Sequence, residues 1–136
     1  MDINELNRKV IDEFRANAGV VTHQFDGVPL LLINTIGAKT GELRTKPLAY
    51  FKDGERYVVI ASFAGAKHHP PWYHNLKANP EFELEVGAEK FTARAMEAGE
   101  PERTVLFARM AEKMPVFNEY QAKTERVIPV LLLERV

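Results

Sequence analysis

The first apolar residues of the chain recur at helical spacing. Ile3, Leu6, Val10 and Phe14 share one face, Asp2 stands where an N-cap is wanted and Gly19 where a helix stops, which predicts a helix over about 2–18. Its apolar stripe is expected to pack on the domain; a weaker alternative is contact with a membrane or a partner. From Pro29 onward the period changes. "PLLLINT" reads as a short apolar strand, "RTKPLAYFKD" as a second, and Asp53-Gly54 as a hairpin turn into a third, "RYVVIAS". A loop, "FAGAKHHP", leads to a short helix, "PWYHNLKANP", opened by Pro70 and Pro71 and closed before Pro80. "EFELEV" and "EKFTARAM" alternate about Gly87-Ala88 and form another hairpin. Helical signals return over 101–124 in two short segments, and the last strand is "RVIPVLLLE".

Six strands joined by local hairpins, with three or four helices, predict an antiparallel α+β fold built on a small barrel. Pro47 and Pro129 each remove a ladder donor, so their strands are expected at an edge or opening, as a barrel with a seam provides. No internal repeat, low-complexity tract or linker interrupts the 136 residues, so a single domain over 1–136 is expected.

Composition narrows the function more than the fold. With 18 basic and 19 acidic residues the chain has no general attraction for nucleic acid or an anionic surface, and any basic patch must be local. The absence of cysteine excludes disulfides, thiolate metal ligands and a cysteine nucleophile. The opening "MDINELNRKV" lacks the basic-then-apolar pattern of a signal peptide. No apolar run approaches the ~20 residues of a membrane span. A cytoplasmic protein is expected.

A local basic patch is present in "TIGAKTGELRTKPLAY", where Lys39, Thr40, Arg44, Thr45 and Lys46 gather around Gly37 and Gly41. The glycines permit positive φ, so the connection can curl its amides into an anion-binding nest, to which Lys39 adds a point charge and Arg44 a planar fork. Phosphate suits such a cluster. The Walker A pattern is absent, because Ala38 and Ile33 occupy the positions where it requires glycine. On spacing alone a solvated turn competes equally with this reading. A nucleic-acid surface is disfavoured because no basic stripe continues elsewhere.

"GAKTGELRTKPLAY", "DGERYVVIAS", "HPPWYHNLKANP" and "NEYQAKTERVIPVLLLE", in this order, resemble the deazaflavin-dependent nitroreductase family, split β-barrel oxidoreductases that use coenzyme F-420. The resemblance runs from about Leu30 to Glu134. It implies a six-stranded antiparallel split β-barrel with flanking helices. It also implies that Lys39, Thr40 and Arg44 grip the coenzyme's phosphate and acidic tail, with Lys46, Pro47, Leu48 and Ala49 running along it. Ala61, Ser62, Phe63, Ala64 and Gly65 would lie against the deazaflavin ring, with Ser62 close to its redox-active edge; Phe63 stands where some relatives carry lysine. By itself a lone serine at a strand end more commonly bonds its own backbone.

Trp72 reads as core or as a pocket wall, and the resemblance implies the wall; Asn75 would hydrogen-bond the ring or its loop. His68, His69 and His74 cluster in sequence, but adjacent histidines diverge and cysteine is lacking, so no metal site is expected and they read as surface polar groups. The substrate side would draw on Met114, Phe117 and Tyr120. Relatives that reduce nitroimidazoles carry tyrosines at the first two positions, so the pocket here is more apolar and favours quinones or enones over nitro compounds. The reading is a reductase that takes hydride from reduced F-420 for a small electron-poor substrate, Tyr120 or solvent supplying the proton, acting as a monomer or homodimer without nucleic acid. Its rivals are a split-barrel reductase that uses FMN and a non-catalytic F-420 carrier.

Overall fold

The computed structural model describes residues 3–21 and 29–136. Eleven regular elements follow in the order α1 (Ile3–Ala16), β1 (Leu30–Ile36), β2 (Leu43–Ala49), β3 (Phe51–Asp53), β4 (Arg56–Ile60), α2 (Pro71–Ala78), β5 (Glu81–Val86), β6 (Glu89–Glu97), α3 (Glu102–Lys113), α4 (Val116–Ala122) and β7 (Val130–Arg135). The strands form one antiparallel, curled sheet in the order β2-β1-β5-β6-β7-β4-β3.

The sheet has seven strands where six were expected, because "RTKPLAYFKD" is two of them. Leu43–Ala49 pairs with β1, whereas Phe51–Asp53 pairs with β4 at the opposite end of the sheet. Tyr50 alone separates them, donating its N–H to the Pro29 carbonyl at 3.2 Å and packing edge-on against Tyr57. One residue can link the two outermost strands only if the sheet curls until its edges converge.

That curl explains the apolar runs. Leu31, Ile33, Tyr57, Val59, Leu84, Leu131 and Leu133 share one face, filled by Trp72 and Leu76 of α2. The opposite face is covered in two places. Val10 and Phe14 of α1 pack on Leu30 and Leu32, and Leu106, Phe107 and Met110 of α3 pack on Val58, Ile60 and Leu132. Strands buried on both faces need no alternation.

A further expectation is corrected here. Pro47 does lie in an edge strand, but Pro129 precedes β7, an interior strand, and its carbonyl accepts the Ala61 N–H at 2.9 Å. A proline just before a strand leaves the ladder intact. On α1, Val10 and Phe14 pack on the sheet, as the apolar stripe was expected to do. Among the described residues, no helix is long and apolar enough to cross one. The Asp2 cap lies outside the described residues.

Candidate functional site

The connection between β1 and β2 is shaped from a neighbouring helix. Asn75, buried on α2, accepts the Ala38 backbone N–H on Oδ1 at 2.9 Å and donates from Nδ2 to Thr35 Oγ1 at 3.1 Å. Within the hairpin the Gly37 N–H donates to the Glu42 carbonyl, the Gly41 N–H to the Gly37 carbonyl, and the Glu42 N–H to Thr40 Oγ1. These four amides are engaged within the protein. Gly41 takes a φ of +72°; a Cβ at Gly37 would sit 2.7 Å from Thr40 Oγ1, so the Thr40 side chain would have to turn away.

Beside the hairpin lies a cavity of about 1050 Å³. Lys39, Arg44 and Lys46 line it together with Arg8 of α1, and no carboxylate among the described residues does. A chain of net charge −1 therefore presents a cavity with four cationic side chains. Arg44 is largely exposed and held by Glu42 at 2.9 Å, a pair that contributes little in solvent. Lys46 differs. It is half-buried, has no hydrogen bond or ion pair among the described residues, and burial lowers its pKa below the ordinary lysine value.

Thr40, Pro47, Leu48 and Ala49 continue the same wall, and Trp72 closes it while packing into the core. Met114, Phe117 and Tyr120 line it from the α4 side, Phe117 meeting Tyr120 edge-on at 5.7 Å. Ser62 is buried in the wall, and its side chain makes no capping bond to the turn that follows. The expected Ala61 and Gly65 are not brought to the cavity. Ala61 is fully buried beyond β4, and Gly65 abuts α4, where a Cβ would lie 2.7 Å from the Tyr120 carbonyl.

Between them the backbone is left-handed at Phe63 (φ 47°), Ala64 (φ 53°) and Gly65 (φ 78°). For the two non-glycine residues this conformation costs roughly 1–2 kcal/mol each. Arg126 holds it in place. Its guanidinium donates to the Ser62 carbonyl at 2.7 Å, the Ala61 carbonyl at 3.3 Å and the Ala66 carbonyl at 2.9 Å, gripping the chain on both sides of the turn.

The family model for F420H(2)-dependent quinone reductase matches residues 6–135. An F420H(2)-dependent quinone reductase of Mycobacterium tuberculosis is 40% identical over 126 residues, covering 90% of this chain and 85% of that protein. A solved F420-H2 dependent reductase superposes with a TM-score of 0.71 at 37% identity, covering 78% of this chain and 94% of that one. The chain belongs to the F420H(2)-dependent quinone reductase family. Another solved structure, described as a domain-swapped dimer, gives a TM-score of 0.73 at 32% identity over 96% of this chain and 98% of that one.

In this quinone reductase family member, three groups beyond the expected residues contribute to the site. Asn4, Asn7, Arg8 and Ile11 of α1 line the cavity, and their i, i+3, i+4, i+7 spacing was a legible second stripe. α1 is fixed there by Arg15, which donates to both carboxylate oxygens of buried Glu85, at 3.1 and 2.8 Å; Glu85 also accepts from Asn34, and Asn34 from Thr45. Arg126 carried no local signal. His69 was read as a surface group, yet it is half-buried and lines the cavity.

Proposed function

We propose that this quinone reductase binds reduced F-420 with its anionic portion on Lys39, Arg44, Lys46 and Arg8, and its ring along Pro47–Ala49, Ser62–Ala64 and Trp72. The single observation that carries this is a large cavity with four cationic side chains, no carboxylate among the described residues, and a remainder that is mostly apolar in surface. Such a partition fits a ligand that is anionic at one end and flat at the other. Lys46 is an unpaired, partly desolvated cation, which an anion would satisfy. When bound, the coenzyme supplies a hydride. The protein supplies binding, orientation and exclusion of water. In this reading the Ser62 hydroxyl donates to the ring, while Asn75 holds the hairpin, both of its polar groups being engaged with Ala38 and Thr35.

The substrate end is formed by Met114, Phe117 and Tyr120, an apolar pocket with one phenol, which suits a quinone better than a nitroimidazole. The curl that joins β2 to β3 through Tyr50 supports reading the sheet as a split barrel forming a single domain, α1 included. The domain-swapped relative supports a homodimer. The deciding experiment mixes protein, reduced F-420 and menadione and follows the return of deazaflavin absorbance, beside parallel titrations with FMN and F-420. Turnover with F-420 as the tighter ligand is expected. Tight binding without turnover would make the protein a carrier, and a preference for FMN would reassign the coenzyme.

A further inference from the structure

Resting on the quinone-reductase reading, we propose that His69 is a neutral hydrogen-bond donor to the substrate's carbonyl oxygen, fixed in that form by Arg126 as a positioning residue. Arg126 Nη1 lies 3.0 Å from His69 Nδ1, and arginine has donors only. Nδ1 must therefore accept, which leaves the proton on Nε2. A protonated imidazole would place two donors and two cations against each other, so the neutral form is selected.

The groups facing His69 agree. Burial, Arg126 and His74 all depress its pKa, and only Glu97 opposes them. Tyr73 packs on the ring at 4.4 Å between centroids and holds its plane. Nε2 has no hydrogen-bond partner among the described residues, and His69 lines the cavity. The same guanidinium that fixes the tautomer also fixes the Ser62 carbonyl and the left-handed turn after it, so one side chain sets the relative position of both donors.

A neutral imidazole is too weak an acid to give up its Nε2 proton near pH 7. Its effect is electrostatic: it stabilises negative charge that builds on a carbonyl oxygen as hydride arrives, as neutral histidine electrophiles do elsewhere. A quinone has such an oxygen.

Nitrogen-15 NMR of the free protein reads the tautomer without any coenzyme. A bare Nδ1 and a protonated Nε2 at pH 7 are expected, and titration with menadione alone should shift the Nε2–H signal. An Nδ1–H tautomer, an imidazolium at pH 7, or no response to menadione would overturn the assignment. The His69→Gln variant keeps a donor near Nε2 and His69→Asn does not, so kcat on menadione should fall at least about ten-fold further in His69→Asn, the scale of one lost oxyanion donor. Equal loss in both would also overturn it. Arg126→Gln removes the nearby cation, so the imidazole pKa should rise and the acid limb of the rate profile should move to higher pH. If that variant does not fold, the His69 pair and the tautomer still decide. A wild type without coenzyme-dependent turnover counts against the quinone-reductase reading, whereas the tautomer and the menadione shift judge His69 independently.

Discussion

Asn75 Oδ1 accepts the backbone N–H of Ala38 at 2.9 Å, so a helix on one side of the cavity sets the shape of the cationic hairpin on the other. Its Nδ2 is bound to Thr35 Oγ1, and the residue is buried. Removing the amide leaves the Ala38 donor and the Thr35 hydroxyl without their partner. Asn75→Ala should lower stability by ~1–3 kcal/mol in urea unfolding, the penalty for orphaned buried polar groups. It should also weaken F-420 binding, because the hairpin loses its register. Unaltered affinity in a destabilised variant would show that the hairpin holds itself.

Lys46 separates binding from stability. Its amine is half-buried without a counter-charge, which penalises the free protein. Lys46→Met keeps the stem and deletes the charge, so the melting temperature should rise slightly while affinity for F-420 falls roughly ten-fold or more, one charge-assisted contact being worth ~1.5–3 kcal/mol. Loss of both stability and affinity would mean that the amine is already satisfied by the protein.

Arg44 is expected to bind the anionic portion of the coenzyme after release from Glu42. Arg44→Ala should weaken intact F-420 by about ten-fold at low salt, less as salt rises, since such contacts are screened within ~10 Å at 0.1 M. Against a deazaflavin cut back to its ribityl chain, wild type and variant should bind alike. Glu42→Gln removes the competing carboxylate and should tighten the intact coenzyme a few-fold. A coupling energy near zero between Arg44 and the tail would return the hairpin to a solvated turn.

Ser62 is buried at the cavity wall without a capping bond to its own turn. Ser62→Ala should slow kcat by ~10-fold or more with coenzyme affinity little altered, one lost donor to the reacting ring being worth that much. Unchanged turnover would leave Ser62 a spacer at the end of β4.

Glu85 gives the fold a pH dependence. The Arg15 hydrogen bonds, and then that from Asn34, hold its carboxyl below the ordinary 4.5. A carboxylate with a depressed folded pKa contributes its stability above the unfolded value and loses it as pH falls through the folded one. As pH falls below the ordinary 4.5 the wild type should therefore lose more stability than Glu85→Gln, which has no charge to titrate. Parallel acid profiles would show that the Arg15–Glu85 pair contributes nothing net. Because Arg15 anchors α1, Arg15→Gln should also weaken F-420 binding through displacement of Arg8.

Much of this protein was written in local pattern. The helical stripe of Val10 and Phe14, the Gly87-Ala88 turn and the Pro70-Pro71 helix start each depend on neighbours a few residues apart, and each stands where the pattern placed it; the β3–β4 turn falls one residue later than Asp53-Gly54, at Gly54-Glu55, because Asp53 still pairs with Arg56. The basic residues of the hairpin were equally legible, although on spacing alone they read as well as a solvated turn as an anion site. What periodicity could not show is which strand a segment pairs with. "RTKPLAYFKD" reads as one strand because its alternation is continuous, yet its halves hydrogen-bond to opposite edges of the sheet, a choice made by β1 and β4 and not by the segment. Asn75 with Ala38, Arg126 with His69, and Arg15 with Glu85 lie 37, 57 and 70 residues apart. Long side chains of this kind carry no local signal, because their partners are chosen by the curl of the sheet. Residue chemistry and local spacing dictate which positions bear charge, bend the chain or seek the core. The tertiary structure alone decided which of those charges face a common cavity, and which are used to hold its walls in place.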